Sequence, residues 1–351
     1  MCYFDGEVKR ESSTGGLAYI VAKSTIREQL DPVLNWYFHT VYGIFEGPGI
    51  LPWYCDADRI GHFALDPSRL LGRPTASSLF KLFITMTMFQ AFRDVVITHR
   101  QRAMTWDQAR DLTSLLRILN KIDGHRCRAL SDAETFPLVC DVYKSAGQVD
   151  CHRHPGQECP VKQASQLLRR MGDMGKLPVS AALLHRQEGL LALQLQRILE
   201  SPDQPAQRAN HIIANLTKVF RVGTKLAMMW TSALSTPSLA PGLTPFFPAI
   251  QGDELVVIDT NVSQSISILA GTRIGLTYQA QAHWLQRQAR KVDLRAFDSR
   301  VASYSPRMVQ QALYWFRSKS NRLAIADPCR GKSSKCLTCC PRLCPFAKNE
   351  I

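Results

Sequence analysis

The chain has 351 residues, of which 45% are hydrophobic and 21% charged, with 43 Lys+Arg against 29 Asp+Glu for a formal net charge of +14. That length and balance suit a protein with a real core and exclude a disordered tail, a collagen and a coiled coil. The positive charge is concentrated near the C-terminus, since residues 261–351 hold 15 Lys+Arg against 4 Asp+Glu and the rest hold 28 against 25, which points to a polyanionic partner.

Met1–Arg10 (MCYFDGEVKR) leads into no apolar signal segment, so an intracellular, soluble protein is expected. Ser24–Thr40 has helical spacing, with Pro32 as a kink or break. Ala76–Arg100 reads as one helix, with Phe80, Phe83, Met86, Phe89 and Phe92 at three-residue steps. Thr105–Asn120 follows, with Thr105 as N-cap and Asp107 in the first turn. Further helices are predicted at Ser180–Leu199, Gln207–Lys218, Thr224–Leu234, Val262–Leu269, Thr277–Arg290, Leu294–Tyr304 and Pro306–Arg317. The longest uncharged stretch, Leu226 to Gly252, contains Pro237, Pro241, Pro245 and Pro248. It reads as a helix end and a loop, not a membrane span. The only strand-like run is Glu254–Ile258. The fold class predicted is therefore all-α with long loops.

Eleven cysteines fall mainly in two groups. The tail carries Cys329, Cys336, Cys339, Cys340 and Cys344, spaced C-x6-C-x2-C with a further Cys after four residues. Four thiolates this close can hold a [4Fe–4S] cluster or a tetrahedral zinc. As unligated thiols they would be an oxidation hazard. The middle group is Cys127, Cys140, Cys151, His152, His154 and Cys159. It has no C-x2-C pair, and buried or incidental thiols are the preferred reading, with a partial zinc site as the alternative.

The tail is similar to the iron–sulfur loop that closes endonuclease III-like DNA glycosylases, C-x6-C-x2-C-x5-C. This loop is one residue shorter, and Cys340 offers a second choice of third ligand. The resemblance implies a [4Fe–4S] cluster on Cys329, Cys336, Cys339 and Cys344, in preference to zinc. It also implies that the basic residues Arg330, Lys332 and Lys335 meet the DNA backbone. The preceding helix, Pro306–Phe316, resembles the family's penultimate helix.

Val219-Phe-Arg-Val-Gly223-Thr-Lys225-Leu-Ala227 looks like the second half of a helix-hairpin-helix, L-P-G-V-G-x-K-x-A. Phe220 and Arg221 stand where that motif has Pro and its first Gly. A glycine turn before a helix N-terminus offers backbone amides to a phosphate, so Arg221, Val222, Gly223 and Thr224 are candidate DNA contacts. Val256-Val-Ile-Asp259-Thr-Asn261-Val262 resembles the segment that carries the family's catalytic Asp, with Asn261 as a further DNA contact. Leu79–Gln90 resembles a helix whose terminal Gln fills the gap left by a flipped base, which nominates Gln90.

The resemblance implies a two-lobed helix-hairpin-helix fold. Residues 1–75 would pack on the C-terminal lobe, 76–252 would form a helical barrel with an insertion at about 104–175, and 253–351 would form the second lobe. It implies a monomer that flips a base from double-stranded DNA, with Lys225 as amine nucleophile and Asp259 as its carboxylate partner. Taken singly, Lys225 is an ordinary helix first-turn lysine and Asp259 an N-cap. A non-catalytic DNA-binding protein with the same fold is the alternative function, and a zinc-stabilised RNA-binding helical protein is a third.

Overall fold

In the computed structural model the described residues are 26–90, 92–145, 147–169, 171, 174–271, 277–325 and 343–346. They are mostly helical. In chain order the helices are α1 (Ile26–Thr40), α2 (Ala57–Ile60), α3 (Ala76–Thr87), α4 (Asp94–Ala103), α5 (Trp106–Thr113), α6 (Leu115–Asp123) and α7 (Phe136–Val139). A hairpin of β1 (Val142–Ser145) and β2 (Gln148–Cys151) comes next. It is followed by α8 (Pro160–Leu167), α9 (Leu177–Glu188), α10 (Leu193–Leu199), α11 (Pro205–Leu216) and α12 (Thr224–Ala233). The chain continues with α13 (Thr260–Ala270), α14 (Tyr278–Ala289), α15 (Pro306–Arg317) and α16 (Lys319–Ala324). No described helix is long and apolar enough to cross a membrane.

Three predicted helices are each split in two, for local reasons. The 76–100 helix breaks after Thr87. There the Thr87 hydroxyl donates to Ile84 O (3.1 Å) and Gln90 Nε2 to Thr87 O (2.6 Å), so side chains take carbonyls that the next turn would use. The 105–120 helix begins with the expected cap, a reciprocal box between Thr105 and Gln108. It stops at Ser114, whose hydroxyl then caps α6 through Arg117 N–H. The 180–199 helix stops at Gly189, left-handed at φ 68° with its N–H on His185 O, a backbone shape that a Cβ disfavours. The 294–304 helix shrinks to a single 3-10 turn, Leu294–Ala296. Pro32 lies inside α1 without ending it, and α15 has the predicted bounds.

Two hydrophobic cores form. The larger is built on Phe63, Phe80, Phe83, Leu112, Phe136, Leu183 and Trp230, and takes in residues from Tyr54 to Leu255. The second joins Val33, Leu34 and Tyr37 of α1 to Val262, Leu285, Leu313 and Phe316. So α1 does pack with the C-terminal helices, whereas Tyr54 to Leu70, grouped with it in the 1–75 segment, belong to the larger core. The 104–175 stretch also contributes Leu112, Ile118, Phe136 and Val161 to that core.

The strand-like run 254–258 is no strand. After a 3-10 turn at Gly252–Glu254 it runs extended from one core to the other, with Leu255 in the first and Val256 and Ile258 in the second. Side chains serve its backbone in place of a partner strand. Gln310 Oε1 accepts from Val257 N–H (3.3 Å), and the Tyr278 hydroxyl accepts from Ile258 N–H (3.1 Å) and donates to Val256 O (2.7 Å).

Candidate active site

The hairpin lies between α11 and α12. Arg221 has φ 64° and is the one non-glycine among the described residues with positive φ. It occupies the position where the motif has a glycine, so the turn is kept at the cost of strain on an arginine. Phe220 replaces a proline, and its N–H donates to the buried Ser180 hydroxyl (3.0 Å). Gly223 caps α12 without a side-chain hydrogen bond, and a Cβ built on it would meet open space. Arg221, Gly223 and Thr224 are exposed. Val222 is not a surface contact. Its side chain is buried in the core and its N–H closes the turn on Val219 O (3.0 Å), so it shapes the hairpin from inside.

Lys225 is the second residue of α12, and its Nζ donates to Phe89 O (3.2 Å) in the loop between α3 and α4. Asp259 caps α13, with Oδ1 accepting from Val262 N–H (2.8 Å) and Oδ2 from Asn261 Nδ2 (3.4 Å). Asp94 opens α4 and accepts a hydrogen bond from the Tyr314 hydroxyl, which in turn accepts from Asn321 Nδ2 (2.9 Å). Lys225, Asp259 and Asp94 all line one cavity of about 150 Å³. The same three face an outer cleft of about 950 Å³. The N-termini of α4, α12 and α13 thus meet at one opening, and each favours negative charge.

The electrostatics bear on a proton. Burial raises the Asp259 carboxyl above its ordinary value and the nearby Asp94 charge adds to this, while Val262 N–H and Lys225 oppose it. Burial, then Asp94, pushes the Tyr314 phenol well up, so Tyr314 stays a protonated donor.

The inner wall was not legible as a site in the sequence. It holds Glu46, Arg307, Gln310, Gln311 and Trp315, with Trp53 and Phe89 as aromatic surfaces. Glu46 accepts from the Tyr37 hydroxyl, Gln311 Nε2 (2.9 Å) and Trp315 Nε1 (3.0 Å). Arg307, 7% exposed, donates to Gln310 Oε1 and Gln311 Oε1 (both 2.6 Å). Arg307 and Gln310 are buried polar residues on α15, and buried polar groups are uncommon unless they are paired or functional. In the sequence, the only available signal was Arg307-Met-Val-Gln310-Gln311 within an otherwise amphipathic helix.

At the mouth of the outer cleft stand Arg93, Asn261, Arg317 and Lys319, with the exposed Phe92 ring, over which Arg100 lies at 4.6 Å. Gln90, the nominated gap-filler, lies outside both cavity walls and is bonded to Thr87. Phe92 is the residue presented there instead. Of the C-terminal cysteines, Cys329, Cys336, Cys339 and Cys340 lie outside the described residues, as do Arg330, Lys332 and Lys335. Cys344 is described, and its Sγ lies 3.7 Å from Nη1 of the buried Arg322.

No protein-family model, curated protein or solved structure matches the chain.

Proposed function

We propose that the protein is a helix-hairpin-helix DNA glycosylase of the endonuclease III type, which excises a damaged or modified base and cleaves the strand through a lysine Schiff base. The observation that carries this reading is that Lys225 and Asp259, 34 residues apart in the chain, face one cleft beneath a hairpin turn with a glycine-like backbone.

In this reading the hairpin amides and Arg221 hold the backbone phosphates. The target nucleotide leaves the stack and enters between the two cores. Lysine attacks only as the free amine, and the Asp259 carboxylate, made more basic by burial, takes its proton. The Lys225 nitrogen then bonds to C1′ while the glycosidic C–N bond breaks, and its electron pair leaves with the base. Opening of the sugar ring gives the imine. Loss of a C2′ proton then expels the 3′ phosphate by elimination. The polar groups on α15 and the aromatic walls are suited to a flat heterocycle with hydrogen-bonding edges.

The reading also includes a [4Fe–4S] cluster, or zinc, on Cys329, Cys336, Cys339 and Cys344. Arg322 beside Cys344 fits such a group, because four thiolates leave net negative charge for a buried cation to balance. When bound, the group would fix the shape of the basic loop.

The test is borohydride trapping on a duplex with one abasic site. A covalent adduct is expected from the wild type and none from Lys225→Ala, with duplex binding nearly unchanged. An adduct that survives in Lys225→Ala would assign the amine elsewhere. Tight binding with no adduct from the wild type would favour the non-catalytic DNA-binding reading.

A further inference from the structure

The 104–175 stretch holds a second cluster that the excision chemistry does not use. Cys127, Cys140, Cys151 and Cys159 come from four separate positions between α6 and α8, yet all four line one small cavity. Cys140 stands just before β1 and Cys151 ends β2, so the open end of the hairpin brings those two together. Cys159 caps α8, and Cys127 enters from the turn after α6. All four are free thiols. We infer that these four cysteines bind one structural zinc ion that pins the inserted segment to the larger core.

The cavity is about 20 Å³, close to the volume of a single probe sphere of about 10–15 Å³, which suits a single ion. A backbone hydrogen bond already points at one sulfur. Lys162 N–H lies 3.3 Å from Cys159 Sγ, a contact of the kind that supports a metal-bound sulfur. Four thiolates with Zn²⁺ carry net negative charge, and the wall holds Arg153 and Lys162, which are paired with Asp141 and Asp150.

One neighbouring histidine is already engaged. His125 Nδ1 accepts from Cys127 N–H (3.1 Å), so the neutral ring carries its proton on Nε2 and presents no second lone pair. As placed, no three or more His, Cys, Asp or Glu side chains among the described residues form a group that could hold a metal ion, so binding requires the thiols to move. The ion would draw the thiols inward by rotation about their Cα–Cβ bonds. Two four-residue strands and a four-residue helix add little stability beyond the core contacts of Phe136 and Val161, and a bound metal would add folding free energy directly.

The test counts zinc and iron per chain by elemental analysis of the full protein. It compares wild type, Cys140→Ser/Cys159→Ser and Cys336→Ser/Cys339→Ser. One zinc is expected to be lost from the first variant and retained in the second; a further zinc or iron lost only from the second would belong to the C-terminal cysteines. His154→Ala should keep the first zinc. If the first variant fails to fold, titrating the wild type with a mercurial should release the zinc as four thiols react. Cobalt in its place should show a thiolate-to-cobalt charge-transfer band that weakens with each single Cys→Ser change. Zinc unchanged in the first variant, zinc lost from His154→Ala, or disulfides in place of metal would each overturn the inference. None of these results depends on whether the abasic-site adduct forms.

Discussion

The cleft around Lys225 and the thiol cavity around Cys140 gather reactive side chains by opposite means. In the cleft, Asp94, Lys225 and Asp259 each sit at the start of a helix of ten or more residues. Their backbone is fixed by ladders that exist for other reasons, and two packed cores set the distance across the opening. In the thiol cavity the contributing backbone is turns, a minimal hairpin and helix caps. The first arrangement is organised before any ligand arrives. The second, on the zinc inference, would gain order when its ligand binds. Rigid elements allow a functional group to pay its positioning cost through the fold, whereas loop-borne ligands must be ordered when the metal binds.

The sharpest way to break the contrast is to remove a reactive group from each region and compare activity with stability. Lys225→Ala should lower single-turnover strand cleavage by on the order of 10³-fold or more, while its melting temperature stays within a degree or two of wild type. A collapse in stability would make Lys225 structural. Asp259→Asn comes next, with a rate loss of about 10²–10⁴-fold. Asparagine caps helices about as well as aspartate, so the fold should be kept. Asp259→Ala should add a stability loss of about 1 kcal/mol, read by denaturant titration. Equal stability of the two variants would remove the cap from the account.

A finer test uses pH. Burial and Asp94 hold the Asp259 carboxyl up, and in the proposed mechanism its charged form is the base. Single-turnover rate should therefore rise with pH along an acid limb above the ordinary carboxylate value of about 4. Asp94→Asn removes one raising charge and should move that limb to lower pH. A limb that stays put belongs to another group. Stability runs the other way, because a carboxyl with a raised folded pKa favours the fold when protonated. That contribution is present at low pH and is lost as pH rises through the raised value. Asp259→Asn should flatten that part of the stability–pH curve.

The smallest effect has opposite signs in two measurements. Arg221→Gly relieves a left-handed arginine, worth about 1 kcal/mol, and should raise stability. It should also weaken duplex binding and reduce the salt slope by about 1. If binding and its salt dependence do not change, Arg221 is not a phosphate contact.

The sequence made the helices legible wherever a cap or a periodic face was strong, as at Thr105 and Pro306–Arg317. It overran where side chains intercept backbone carbonyls, as at Thr87 and Gln90, because that competition depends on rotamers that periodicity does not encode. The pairing of Lys225 with Asp259 was reached through motif order, not through either residue's local pattern. The inner wall was hidden for a different reason. Glu46 lies in a loop far from α15, and only the packing of α1 against α15 brings it to Gln311 and Trp315. The middle cysteines were visible one by one, but their convergence needed the hairpin register, Val142 opposite Cys151.

The loop that interrupts the predicted 76–100 helix has a mechanical consequence. Its Phe89 carbonyl holds the Lys225 amine at 3.2 Å, and three residues later its exposed Phe92 ring stands at the mouth of the cleft. One short piece of chain is therefore both the tether of the amine and the doorpost of the opening. In the proposed mechanism, displacing the Phe92 ring would act three residues from the carbonyl that holds the Lys225 amine, so entry of a nucleotide and freeing of the amine would be coupled.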